Sequence, residues 1–185
     1  MTGQVCTQWR RSDQWLSEVG RYRAVTMLFL RKEVGMKVTV FLRNDHEVLR
    51  GLFNKYKKPS VRNHGKKELF NEIRREILIH SQMELEVFYP ALAGTSSTRA
   101  MELVSAAEGE HRAVEKLLQE LGNMNGSEKT FEPKMDQLIQ QCLQHMETEE
   151  DSIFDEARKN LPEYRLEELG LEMEDQRKIL TTVAA

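Results

Sequence analysis

Two stretches of this chain carry a histidine and a glutamate four residues apart: His80-Ser81-Gln82-Met83-Glu84 and His145-Met146-Glu147-Thr148-Glu149. On a helix that spacing sets both side chains on one face. The face concerned should be apolar. Around the first pair the seam reads Ile73, Ile77, His80, Glu84, Val87; around the second it reads Met135, Leu138, Cys142, His145, Glu149, Ile153. The intervals alternate three and four, so each pair lies within a seam expected to face a core. Ionisable groups are costly to bury there unless something binds them, and a metal is the obvious candidate.

Two further seams carry one histidine each. His46 belongs to Val38, Leu42, His46, Leu49, Phe53, Tyr56, and His111 to Ala100, Val104, Ala107, His111, Val114, Leu118, Leu121. A lone histidine on an apolar face is usually a satisfied core residue. One on each of four helices is a different pattern. Counted from the helix ends at about 1.5 Å per residue, all four come within roughly one turn of each other in an antiparallel bundle. His46, His80, Glu84, His111, His145 and Glu149 would then converge. Imidazole with carboxylate suits iron, manganese or zinc, while structural zinc usually takes thiolates. Six ligands exceed one tetrahedral site but suit two metals. Each would take two imidazoles, share both carboxylates, and keep room for a bridging oxygen and an outside ligand. Iron fits best, so the expected cofactor is two Fe ions in a di-iron centre with a bridging oxygen species. The ferritin-like alternative needs Glu-x-x-His on two helices, and only Glu108 to His111 supplies it. His64, between Asn63 and Gly65, reads as a loop histidine and is excluded.

Four long amphipathic helices position these residues. The first starts at Val38 and ends in Lys55, Lys57 and Lys58 before Pro59. The second runs from about Lys66 to Tyr89. The third begins among the capping residues of Gly94 to Thr98 and ends at Gly122, and the fourth runs from about Pro133 to Lys159. A charged fifth segment, Glu163 to Leu180, has Leu166, Leu169 and Ile179 as its apolar points. The expected fold is all-α: an antiparallel up-down-up-down four-helix bundle with a short C-terminal flanking helix, occupying residues 36–185. No internal repeat beyond the helix pattern is visible. Residues 1–35, with Trp9, Trp15 and the Ala24–Leu30 run, lack sustained periodicity. They read as a poorly ordered tail or sequence upstream of the true start, with a docked extra helix as the alternative.

Composition narrows the function classes. Of 185 residues 31% are charged, and the net charge is −3, which points to neither nucleic acid nor an anionic membrane. The run Ala24 to Leu30 is too short to span a bilayer and lacks the pattern of a secretory signal. Two cysteines, Cys6 and Cys142, make no disulfide framework, consistent with a cytoplasmic protein.

The combined pattern resembles the hemerythrin-like, or HHE cation-binding, domains. The residues that carry the resemblance are Asn44-Asp45-His46 with Leu52-Phe53, His80 and Glu84 leading to Phe88-Tyr89-Pro90, Glu110-His111, and His145 with Glu149-Glu150 leading to Ile153-Phe154. It covers about Met36 to Lys159 and implies a four-helix bundle around a non-haem di-iron centre held by the six residues above. Oxygen-carrying hemerythrins have a second histidine four residues along their third helix, where this chain has Glu115. They also place the last carboxylate five residues after the last histidine, not four. These departures point away from reversible oxygen carriage and towards stress-related di-iron proteins that meet oxygen, peroxide or nitric oxide. If there is an enzymatic activity, it would be a peroxide- or nitric-oxide-reactive oxidoreductase. The alternatives are a non-catalytic iron-binding or iron-sensing module, and a structural or zinc-binding bundle that acts through protein partners. Glu115 could be a seventh ligand, a brace for one, or a solvated residue.

Overall fold

The computed structural model describes residues 35–58 and 63–183, without the side chains of Asn63 and His64. The expectations for residues 1–35, the place of Cys6 and the exclusion of His64 as a ligand lie outside the described residues. Helix α1 spans Val38–Tyr56 and α2 Asn63–Met83, the latter running through a π-helical segment, π1 (Glu84–Phe88), into α3 (Tyr89–Ala93). Then come α4 (Thr98–Gly122), α5 (Phe131–Thr148), a second π-helical segment π2 (Glu149–Ile153), α6 (Phe154–Asn160) and α7 (Glu163–Val183). No strand occurs among the described residues. Helices α1, α2–π1–α3, α4 and α5–π2–α6 form the four rods of the bundle, and α7 packs on α1 and α2. The helix of α2 starts at Asn63, so His64 lies in its first turn rather than in a loop.

The seams read from the sequence account for most of the burial. All six predicted positions of α1 and all seven of α4 are buried. They form two apolar clusters. One gathers Leu42, Met83, Phe88, Leu92 and Phe154; the other gathers Leu49, Phe53, Phe70, Phe131 and Leu138. Along α1, His46 falls between Leu42 of the first cluster and Leu49 of the second. The histidines therefore occupy a polar waist between two cores.

Local signals mark the helix ends. Ser97 caps α4 by accepting from the Ala100 amide at 3.1 Å. At the start of α2, Lys67 Nζ donates to the carbonyls of Leu121 and Met124 at 2.9 and 2.7 Å, tying the α4–α5 connection down where a helix C-terminus carries partial negative charge.

Helix α7 is longer than the short flanking helix expected. It buries Leu166, Leu169 and Met173, spaced three and four apart, whereas Ile179 is 58% exposed. Six residues beyond Met173, at about 100° each, Ile179 has turned away from the packed face. Gly170 is where α7 comes closest to the start of α1: a Cβ there would lie 1.8 Å from the Met36 carbonyl oxygen. Among the described residues, no helix is long and apolar enough to cross a membrane.

The two glycines of open and closed surroundings give a matched test. Gly51→Ala, with nothing within 4 Å of the new Cβ, should gain roughly 1 kcal/mol from helix propensity. Gly170→Ala should lose about 1–3 kcal/mol despite the same propensity gain, because backbone must move. Urea denaturation of the two variants beside the parent measures both.

Candidate metal centre

All six residues picked from the sequence meet at the waist. His46, His80, Glu84 and Glu149 offer ligand atoms that lie within 4.8 Å of one another, and so do Glu84, His111 and His145. Glu84 belongs to both groups. Its Oε1 lies 3.2 Å from His80 Nε2, while its Oε2 lies 3.2 Å from His111 Nε2 and 3.8 Å from His145 Nε2. Glu149 Oε2 is 3.2 Å from His46 Nε2. Glu149 therefore groups with the first histidine pair, whereas Glu84 spans the two.

Whether a metal fits can be judged from the side chains alone. Glu84 and Glu149 are fully buried, yet among the described residues none of their four carboxylate oxygens has a hydrogen-bond partner, and neither do His46 Nε2 and His80 Nε2. Such orphaned groups cost several kcal/mol each in a protein interior. Nitrogen and oxygen donor atoms that converge in this way could hold a cation. No ordinary hydrogen-bond network would leave them this way.

The outer nitrogens support the same reading. His46 Nδ1 lies 2.8 Å from Glu150 Oε1, His80 Nδ1 3.1 Å from Asp45 Oδ2, and His145 Nδ1 2.8 Å from Glu110 Oε2. A carboxylate only accepts, so in each case Nδ1 donates its proton, which leaves Nε2 as the nitrogen that would turn a lone pair on a cation at the waist. Glu150 is held in turn by Arg50 at 2.8 Å and Arg43 at 2.5 Å. Burial alone would raise the Glu150 carboxyl, but His46 and Arg50 outweigh it and hold the group below its ordinary range. His111 is the exception, since its buried Nδ1 has no partner.

An offset of 65 positions explains both the regularity and the exception. It carries Asp45, His46, His80, Glu84 and Tyr89 onto Glu110, His111, His145, Glu149 and Phe154. The chain thus has an internal two-fold repeat in its site residues, which the sequence reading missed because the intervening positions do not repeat. The imidazole pairs have matching geometry: His46 and His80 have ring centroids 4.9 Å apart at 69°, and His111 and His145 4.7 Å apart at 71°. The same offset sets Leu85 where Glu150 would be. Glu150 braces His46, and apolar Leu85 cannot brace His111.

The repeat includes the π-helical segments. Each begins at its glutamate and closes with an i to i+5 bond, Tyr89 N–H to the Glu84 carbonyl and Phe154 N–H to that of Glu149. In a regular helix the ninth residue after His80 or His145 would point about 180° away. One extra residue in the turn rotates the next helix back by about 100°. This brings Tyr89 and Phe154 to the centre and replaces the expected seam position Val87 with buried Phe88 and Tyr89. Phe154 stacks on His46 at 6.0 Å and 8°, and Tyr89 leans on His111 at 5.5 Å with its hydroxyl 3.4 Å from His111 Nε2. Burial and the charges of Glu149 and Glu84 push the Tyr89 phenol well above its usual pKa, so it stays protonated.

The second histidine pair is also the more open. A groove of about 470 Å³ between α2–π1 and α4, lined by Ser81, Leu85 and Arg112 among others, reaches His111. Glu115 stands on this groove, exposed and accepting from Gln119 at 3.2 Å, outside both ligand groups. Cys142 is buried beneath the site, where burial pushes its thiol up to about 12.

Residues 38–157 match the family model described as the Hemerythrin HHE cation binding domain. Among solved structures, the chain is similar to a hemerythrin HHE cation binding domain-containing protein from Mycobacterium kansasii. The two are 27% identical with a TM-score of 0.69, over 78% of this chain and 87% of that one. No curated protein matches the chain.

Stripped of metal, the waist should titrate unusually. Burial alone would lower the pKa of His145, but its hydrogen bond to Glu110 and the nearby negative charges of Glu84 and Glu149 outweigh burial and raise it from 6.5 to about 10. A group whose pKa is higher folded than unfolded stabilises the fold fully below the unfolded value and loses that contribution as pH rises through the folded one. The metal-free protein should therefore lose unfolding free energy between pH 6.5 and about 10. His145→Gln should flatten that slope. Urea midpoints across the range are the measurement, and a midpoint that rises with pH would contradict the assignment.

Proposed function

The chain belongs to the hemerythrin HHE cation-binding domain family, and from that premise we propose that it is a non-haem di-iron protein that binds or reacts with oxygen, peroxide or nitric oxide. Its setting would be the cytoplasm and its role oxidative or nitrosative stress or iron handling. The observation that carries this reading is the pair of ligand groups joined through Glu84, with buried carboxylate oxygens that no protein donor satisfies. His46, His80, Glu84 and Glu149 would hold one iron. His111, His145 and Glu84 would hold the other. Iron bound there supplies one-electron redox chemistry and a Lewis-acidic position for a small outside ligand.

The residues of the chain divide the work. The first iron's histidines are braced by Glu150 and Asp45, with Phe154 stacked over His46. The second iron would have three protein ligands instead of four, one unbraced histidine, and the groove beside it. A small ligand would arrive on that side. The protonated Tyr89 hydroxyl faces the same pair and can donate a hydrogen bond to what binds there. Apolar residues of the two clusters flank the waist on either side.

Iron content and reactivity test this reading. Purified protein loaded with ferrous iron should hold two irons per chain, Glu84→Ala should lose both, and Glu149→Ala should lose the first more readily than the second. One zinc per chain, or full iron in Glu84→Ala, would contradict it. Because the set has one imidazole fewer than an oxygen carrier, carboxylate weighs more in it and favours ferric iron, so the reduced protein should oxidise in air and react with peroxide or nitric oxide. Spectra taken as oxygen is admitted and then removed check this, and full recovery of the reduced spectrum would make the protein an oxygen carrier instead.

A further inference from the structure

The last helix reaches the metal centre. Arg177, near the C-terminal end of α7, forks between two carboxylates: one guanidinium nitrogen pairs with Asp45 Oδ1 of α1 and the other lies 2.6 Å from Glu76 Oε2 of α2. The other oxygen of Asp45, Oδ2, accepts from His80 Nδ1 at 3.1 Å. The chain Arg177–Asp45–His80 therefore ends at Nε2, one of the orphaned nitrogens of the first ligand group. Asp45 is buried, and Arg177 is the only arginine or lysine paired with it among the described residues. The residues that match the family model end at position 157, so Arg177 comes from beyond that span.

Resting on the di-iron reading above, we propose that Arg177 is a positioning residue for the first iron and acts through Asp45 on His80. The guanidinium does two things. Its planar fork fixes the Asp45 carboxylate between α1 and α2, which fixes the tilt of the His80 ring. Its charge also draws electron density from Asp45, so the carboxylate pulls less on the Nδ1 proton and His80 is a weaker donor to the metal. Glu150 carries the same duty for His46, with Arg43 and Arg50 behind it. Both histidines of the first iron are thus backed by a carboxylate held by arginine. Among the described residues, His145 has Glu110 behind it with no arginine pair, and His111 has neither. The inequality of the two irons is in this way set partly by a helix outside the bundle.

The experiment uses the full chain loaded with iron. In Arg177→Met, Asp45 is freed to pull on Nδ1, so the midpoint potential should fall and iron release to a chelator should quicken by about tenfold. Arg177→Lys, which keeps the charge but not the fork, should show a potential close to the parent with release still quickened. In an Asp45→Asn background, Arg177→Met should change neither quantity, because the link is already cut. Arg165→Met is the control: Arg165 pairs with Glu168 and Glu172 of its own helix, and its loss should leave both readings unchanged. Reduced thermal stability in Arg177→Met with an unmoved potential and spectrum would overturn the proposal, leaving Arg177 a purely structural clamp. So would an equal shift in the Asp45→Asn background. A parent protein that takes up no iron would overturn the di-iron reading and the proposal with it; two irons in the parent with an unmoved Arg177→Met would overturn the proposal alone.

Discussion

The structure depends on the burial of two carboxylates and four imidazoles at the middle of a helical bundle. Glu84, Glu149 and His46 have no solvent exposure at all, and the apolar residues above and below them are the main source of the bundle's stability. Desolvating such groups without partners costs several kcal/mol apiece, comparable to the net stability of a domain of this size. A cation removes that conflict by neutralising the carboxylates and accepting the imidazole lone pairs. Folding and metal binding are then coupled, and the positions of the ligands along the four rods are constrained together rather than one by one.

The second principle is approximate symmetry, broken where function would need it. A 65-residue offset relates the two halves of the site, including the π-helical turns that begin at each glutamate. A wider turn is a poorer hydrogen-bonding arrangement than a regular one, and its recurrence at both glutamates ties it to the placing of the aromatic that follows. One of those aromatics is Phe154 and the other Tyr89, one brace position is Glu150 and the other Leu85. Each difference makes the half with His111 more polar at its hydroxyl, less constrained at its histidine and closer to the open groove.

Much of this was legible beforehand, and the reasons are local. Three-and-four spacing predicts which residues share a helix face, so the seams of α1 and α4 and the convergence of His46, His80, Glu84, His111, His145 and Glu149 at one height followed from sequence. Contacts between elements do not follow from spacing. Asp45 sits next to His46 but braces His80, and Glu110 sits next to His111 but braces His145. Adjacent helix positions diverge by about 100°, so a ligand's neighbour faces the next helix over. The acidic neighbours at Asp45, Glu110 and Glu150 were a readable signal of this kind. The π-helical turns were not, because periodic counting assumes 3.6 residues per turn throughout; hence Val87 was expected where Phe88 is buried. Tyr89 and Arg177 were missed for the same two reasons: one reaches the site only through a wide turn, and the other comes from a helix whose sequence spacing says nothing of where it docks.

The central claim is that one carboxylate, Glu84, joins two inequivalent irons. Mössbauer spectroscopy of protein loaded with iron-57 tests it most directly. Two quadrupole doublets of equal area, with a diamagnetic ground state for the oxidised protein, are the predicted result. A single doublet, or the magnetic spectrum of isolated high-spin ferric ions, would contradict it.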